Sequence, residues 1–285
     1  MKPDISIYEV SPRDGLQGLP RTIPLRKKVK LIKKLKKAGI EDIEVGSLVH
    51  PSILPMRGSG KLYRKIGGDL LVVNEKGFNR AIKLGLESVN VVISPHDGFN
   101  KLNQKNTYEN IMGVYQNKCK DIPINRLYIS CAFSEGVSRK AVLDCVKWGK
   151  DIAECIVLCD TDSSATIESI SLLCSEARRI TPNLSIHLHV NEGSAQYIQA
   201  AYDSGIRQFD CSVGGLGGCF SVDSAQANLR TEALVMWALA NNIPIIGDIQ
   251  VEELLSTGEY AHDLAYKYSR SRLDKFLQKV IGVYV

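Results

Sequence analysis

His187 and His189 are separated by a single leucine, and that spacing is the most chemically pointed in the sequence. Positions i and i+2 of a strand share a face, so a strand here would aim both imidazoles at one ion. A single histidine in an apolar run is more often a satisfied core residue, whereas an H-x-H pair beside converging carboxylates is a metal-site pattern. Asp14 is the carboxylate expected to join the pair, and Asn228 the source of a carbonyl oxygen. Nitrogen and oxygen donors with positions left open suit a divalent ion such as Mn or Mg carrying water. The eight cysteines (119, 131, 145, 155, 159, 174, 211 and 219) contain no C-x-x-C pair, which argues against structural zinc and for free thiols in a reducing compartment.

The elements that must position these residues follow from an alternation of short apolar runs with amphipathic stretches, unbroken by any proline- or serine-rich linker. The runs predict strands over Ile5 to Val10, Ile40 to Val45, Asp69 to Val73, Ser88 to Ser94, Arg126 to Cys131, Glu154 to Asp160, Leu184 to Val190 and Arg207 to Ser212. Helical patterns fall near 24–38, 76–86, 107–119, 138–151, 165–178, 193–205 and 228–241, with Thr22, Asn74 and Thr107 as cap-type residues. Eight strands with intervening helices predict a (β/α)8 TIM barrel, in one domain spanning 1–285, rather than an open doubly wound sheet. Residues 244–285 form a C-terminal helical extension, packed on the barrel or on a partner subunit. A homo-oligomer, written as a dimer, is the expected assembly.

On that frame Arg13 and Asp14 follow the first strand, Glu44 ends the second, Asp160 ends the sixth, the two histidines end the seventh and Cys219 follows the eighth. Barrel active sites lie at the C-terminal ends of the strands, so these side chains converge on one rim. The stretch from Val213 to Cys219 carries four glycines. It reads either as a flexible loop tip or as a lid that delivers Cys219 over the metal. It lacks the setting of a dinucleotide G-x-G-x-x-G, and Gly58-Ser59-Gly60-Lys61 lacks the P-loop spacing.

Composition narrows the class further. The chain of 285 residues is 44% hydrophobic and 24% charged with 10 prolines, which excludes disordered and low-complexity polymers. Its longest apolar run, Ala233 to Ala240, is about half of the roughly 18 residues a bilayer span needs, so no membrane partner is expected. The N-terminus enters a strand at Ile5, with no targeting segment before it, which predicts a cytoplasmic protein. The net charge of +5 owes much to the lysines between 27 and 37. Leu25, Val29, Ile32 and Leu35 recur among them at helical spacing, so the lysines mostly coat the solvent side of a helix, and no nucleic-acid partner is expected.

Ser11-Pro12-Arg13-Asp14-Gly15-Leu16-Gln17, Ile43-Glu44, His187-Leu188-His189, Gly215-Leu216-Gly217-Gly218-Cys219 and Asn228-Leu229 with Thr231-Glu232 occur in this order. From about residue 5 to 260 the chain thereby resembles the hydroxymethylglutaryl-CoA lyase family. That family belongs to the metal-dependent lyases and Claisen-condensing synthases on a TIM barrel, and the glycine-loop cysteine favours its lyase branch. The resemblance implies a divalent metal on Asp14, His187, His189 and Asn228, with Arg13, Glu44 and Cys219 catalytic. Gln17, Ser47 and Asp160 are the expected substrate contacts. It implies retro-Claisen cleavage of a 3-hydroxyacyl-CoA, with hydroxymethylglutaryl-CoA giving acetyl-CoA and acetoacetate. Arg13 is expected against the developing enolate rather than in a structural ion pair. Val190, Asn191 and Glu192 after the histidines, the short tyrosine-free loop from Ala132 to Gly136, and Val157 and Cys159 depart from the family pattern, which favours a different acyl group. The alternatives are an aldolase or condensing synthase on a 2-oxo acid, and a non-catalytic scaffold.

Overall fold

The structure is a computed structural model and describes residues 4–190, 193–217 and 227–269. The chain runs β1 (Ser6–Glu9), α1 (Leu25–Lys37), β2 (Glu44–Ser47), α2 (Ser59–Ile66), β3 (Asp69–Val72), α3 (Glu75–Leu84), β4 (Val89–Ile93), α4 (Asp97–Gln104) and α5 (Tyr108–Lys118). It continues through β5 (Ile124–Ile129), α6 (Arg139–Gly149), β6 (Ala153–Cys159), α7 (Ile167–Arg178), β7 (Leu184–His187), α8 (Ser194–Asp203), β8 (Gln208–Cys211), α9 (Thr231–Ala240) and α10 (Val251–Ser269). The eight strands form one parallel sheet in the order β1-β8-β7-β6-β5-β4-β3-β2. A single bridge between Glu9 and Ile43 brings β1 to β2 and closes the (β/α)8 barrel.

Strand alternation separates two interiors. Outward-facing Val, Ile and Leu side chains pack under the helices as the main core. Inward-facing side chains fill the barrel, and many of them are polar: Tyr8, Glu44, Asn90, Arg126 and Asp210 are all buried there. Helix starts use the expected chemistry at Asn74 and Thr107, whose side chains accept from the amides of Gly77 and Asn110. Thr22 is not a cap, because α1 begins behind Pro24. Lys28 departs from the solvent-facing pattern of α1: it is buried, donates to the carbonyl of Pro55 and is lowered by burial to about 8.

Two helices, α2 and α4, lie outside the predicted helical patterns. In α2, Gly58 and Gly60 look like breakers, yet Gly60 is where the helix meets Leu84. In α4 the buried residue is Asn100, whose amide exchanges hydrogen bonds with the backbone of Ser94, so a polar clamp holds a helix that hydrophobic periodicity cannot find. The second strand is shifted: Ile40 still bonds back to Leu35 at the end of α1, so Glu44 opens β2 rather than ending it. The predicted helix at 228–241 begins only at Thr231, since Asn228 and Arg230 bridge to the barrel at His189 and Ser212. The described part of the C-terminal extension packs on the barrel itself: α10 buries Leu254, Thr257, Gly258, Ala261 and Leu264. Gly258 faces Gly214, just after β8. No described helix is long and apolar enough to cross a membrane.

Glu9 ties this frame to the rim. One of its oxygens accepts from the amides of Ser11 (2.9 Å) and Val213 (3.1 Å), and the other from the Thr231 hydroxyl (2.6 Å). Three segments that lead to the site are therefore pinned to one buried carboxylate. Burial raises it to about 7, against the lowering effect of those hydrogen bonds. Between its ordinary value of 4.5 and about 7 the folded protein keeps a proton that the unfolded chain has released. The stabilising contribution is thus full below about 4.5 and lost as pH rises through about 7. Glu9→Gln should flatten the fall of Tm between about pH 5 and 8 relative to wild type, as read by scanning calorimetry; parallel curves would contradict it.

Candidate active site

The turn after β1 is wide, with the Gly15 amide reaching back to the Val10 carbonyl (3.2 Å), and this swings Arg13 and Asp14 over the mouth of the barrel. A Cβ on Gly15 would lie 2.9 Å from Leu216, so only glycine lets the turn after β1 meet the loop after β8. His187 ends β7 and His189 follows it. Their Nε2 atoms face each other at 3.2 Å, as i and i+2 spacing predicts.

Hydrogen-bond partners decide which nitrogens carry protons. Nδ1 of His189 lies 3.1 Å from the Thr161 carbonyl, which can only accept. Nδ1 of His187 lies 3.4 Å from the Asp210 carboxylate. The Thr161 carbonyl makes Nδ1 the protonated nitrogen of His189, and the Asp210 carboxylate favours the same tautomer at His187, which leaves the two Nε2 atoms facing each other. Asp14 Oδ2 is 3.9 Å from Nε2 of His187. The Asn228 Nδ2 group donates to Asp14 (2.9 Å) and to the Leu216 carbonyl (2.8 Å), which turns its Oδ1 the other way, buried and without a partner among the described residues. The ligand atoms of Asp14, His187 and His189 lie within 4.8 Å of one another. Converging lone pairs with an orphaned amide oxygen are the donor set that a divalent cation satisfies.

Electrostatics favour the ligating forms of Asp14 and His189, and the protonated form of His187. Burial would raise Asp14, but Arg13, and then the two histidines, hold it down at about 2. Burial and the neighbouring His187 lower His189 to about 4, which keeps its imidazole neutral. Burial lowers His187 as well, but Asp210 and Asp14 outweigh that and shift it upward.

Arg13 is in ion pairs after all: Nε meets Glu44 and Nη1 meets Asp14, while the side chain also lines the cavity. Glu44, raised by burial, is held from the other side by Asn90 (2.7 Å), so it steadies Arg13 and does not line the cavity. Gln17 lines the cavity with a buried, unpartnered carbonyl. Asp160 does not: β6 turns Val157 and Cys159 inward, which sends Asp160 outward onto the Ala165 amide (2.9 Å). Ser47 pairs in register with the cavity residue Leu71, yet is not itself in the lining. Cys219, Asn191 and Glu192 lie outside the described residues. The described start of the glycine loop is not an idle tip. Gly217, at φ +94°, packs so closely that a Cβ would stand 2.6 Å from Asn228 Nδ2 and 3.0 Å from the Asp14 carbonyl.

Sequence reasoning missed Asp210, Arg126 and Tyr128. Asp210 is buried under His187, and its other oxygen accepts from Ser185 (3.0 Å) and pairs with Arg126. Tyr128 stands edge-on to His187 at 6.3 Å between ring centres. Charged and aromatic residues at alternate positions within a strand, as at Arg126 and Tyr128, were the available signal.

A (β/α)8 barrel that gathers two imidazoles, a carboxylate and an amide oxygen at its C-terminal rim has the architecture of an enzyme with its chemistry there. The chain belongs to the HMGL-like family, whose model matches residues 4–260. (R)-citramalyl-CoA lyase of Chloroflexus aurantiacus is 30% identical over 90% of this chain and 89% of that protein. The 3-hydroxy-3-isohexenylglutaryl-CoA/hydroxymethylglutaryl-CoA lyase of Pseudomonas aeruginosa is 30% identical over 96% and 97%. The structure of an HMG-CoA lyase from Acinetobacter baumannii, in complex with coenzyme A and 3-methylmalate, matches with a TM-score of 0.85 at 29% identity, covering 95% of this chain and 94% of that one. By these relatives the protein is a hydroxymethylglutaryl-CoA lyase-like enzyme.

Asp210 fixes the tautomer of His187, so its effect should appear in metal binding. Asp210→Asn should weaken Mn binding by about 10- to 100-fold in calorimetric titration. Unchanged affinity in a folded variant would remove Asp210 from that role.

Proposed function

We propose that the protein is a divalent-metal-dependent carbon–carbon lyase that cleaves a 3-hydroxyacyl-CoA to acetyl-CoA and a keto acid, with Mg or Mn as the metal. The observation that carries this reading is the pair of facing Nε2 lone pairs beside Asp14 and the unpartnered Oδ1 of Asn228. The relatives named above differ in acyl group and share the CoA thioester.

In the reaction the substrate hydroxyl loses its proton to water, the C2–C3 bond breaks, and its electron pair moves onto the thioester as an enolate. C2 then takes up a proton. A divalent ion on Asp14, His187, His189 and Asn228 would supply polarisation of the hydroxyl, lowering its pKa towards neutrality. Arg13 supplies the electrostatic partner for the enolate. Its Nε and Nη1 hold carboxylates, so Nη2 is the group left, among the described residues, for a substrate oxygen. Glu44 and Asp14 keep that guanidinium from rotating away. Cys219, on the glycine loop, donates the proton to C2.

Incubation of the purified protein and Mg or Mn with hydroxymethylglutaryl-CoA and a panel of other 3-hydroxyacyl-CoA thioesters should release acetyl-CoA from at least one; silence across the panel would refute the lyase. Cys219→Ala should slow single-turnover cleavage by about 100-fold or more while substrate affinity holds. Equal rates would take the thiol out of the mechanism. Arg13→Lys keeps the charge but loses the planar fork, and turnover should fall by about two orders of magnitude. Near-wild-type turnover would place the enolate elsewhere.

A further inference from the structure

Beside the cavity over the donor set lies a second one of about 170 Å³, and the two share Val49 and His50 on the loop after β2. The lining of the second cavity holds two guanidinium groups, Arg57 and Arg80, and no carboxylate. Backbone carbonyls steady both: Arg57 Nε donates to Pro51 (2.7 Å), and Arg80 Nη1 to Leu48 and Val49 (3.3 Å each). Each has further N–H groups beyond these, and both stand at the surface, where a ligand can reach them. His50 is a third donor. Its Nδ1 accepts from the Ser52 amide (3.2 Å), so the proton of the neutral ring sits on Nε2.

The flanking helices carry the same sign. Lys61, Arg64 and Lys65 lie on α2 with no acid among them. Lys76 and Lys83 accompany Arg80 on α3, whose one acid, Glu75, pairs with Lys118 (3.3 Å). The chain as a whole is nearly balanced, with 36 basic residues against 31 acidic ones, so this excess is local and draws an anion to the cavity. The small volume suits one compact anion, and planar N–H forks match the oxygens of a phosphate. A phosphomonoester, at about −1.5 to −2 charge near neutral pH, gains more from two guanidiniums than either singly charged phosphate of a diphosphate bridge.

We propose that the second cavity holds the 3′-phosphomonoester at the nucleotide end of the CoA thioester, with Arg57, Arg80 and His50 as its donors. The proposal rests on the CoA-thioester part of the reading above. An acyl group at the donor set sends its pantetheine arm out of the mouth past Val49 and His50, which brings the nucleotide end to this cavity.

Calorimetry with coenzyme A and 3′-dephospho-coenzyme A tests this without any cleavage. The wild-type protein should bind coenzyme A about tenfold or more tightly than the dephospho form. That ratio should fall towards one in Arg57→Gln and in Arg80→Gln, while affinity for 3′-dephospho-coenzyme A holds. Equal affinity for the two in the wild type overturns the proposal even if neither variant folds, and so does equal loss of both ligands in the folded variants. Inorganic phosphate should compete with coenzyme A and not with the dephospho form; phosphate that binds and leaves both affinities unchanged marks a free-anion site and overturns the assignment. Acetyl-CoA release tests the lyase separately. A large ratio without cleavage keeps the phosphate subsite and sinks the lyase, and cleavage with a ratio of one does the reverse.

Discussion

Two imidazole lone pairs 3.2 Å apart set the terms for everything around them. Left without a cation they repel, so the fold has to impose the arrangement from outside. It does so by placing an oxygen beside each Nδ1, the Thr161 carbonyl at 3.1 Å on one side and the Asp210 carboxylate at 3.4 Å on the other. Asp210 is in turn fixed by Arg126 and Ser185, so the orientation of His187 is inherited from side chains deep in the barrel. The loops complete the constraint. Glu9 holds the segments after β1 and β8 and the start of α9, and Gly15 and Gly217 let the backbones meet where no side chain fits.

A barrel filled with charge would be a poor route to stability on its own. Buried ion pairs recover little more than their desolvation cost, and each becomes expensive when one partner is missing. Here each charge has at least one charged or polar partner. Arg126 is paired with Asp210 and stacked 3.8 Å over Tyr8; Glu44 is shared by Arg13 and Asn90, and Asn90 also donates to Tyr8. Such sets specify orientation more than they add free energy. That suits a site whose function needs several donors held at fixed angles while the outer, apolar core under the helices supplies the stability.

The same interior separates reaction from recognition. The donor groups at the cavity come from β1 and β7, while β3 to β6 line it with Leu71, Val92, Tyr128 and Cys159, joined by polar residues such as Ser130 and Thr161 at the strand ends. Because neighbouring strands present successive parts of one ring, changes at Leu71 or Val92 can alter what fits while Arg126 of β5 keeps Asp210 and the donors on β7 in place. That division agrees with relatives at about 30% identity whose names carry different acyl groups.

The sequence by itself determined the periodic features. Alternating apolar runs gave the eight strands and the barrel, the i and i+2 histidines gave a shared face, and the order of Arg13-Asp14, His187-His189 and Asn228 marked one rim. These are local signals, because strand pitch and helix turn are properties of the backbone. Only the tertiary structure decided that Glu44 grips Arg13 from the start of its strand, that Asp160 points away, and that Asp210 and Arg126 stand beneath His187. Each of those depends on which strands become neighbours and at what stagger. A chain of residues far apart in sequence carries no period that announces it. The helix held by Asn100 was hidden for the same reason: its stabilising contact is a pair of hydrogen bonds to Ser94, and a hydrogen bond, unlike a buried face, leaves no repeating pattern in the sequence.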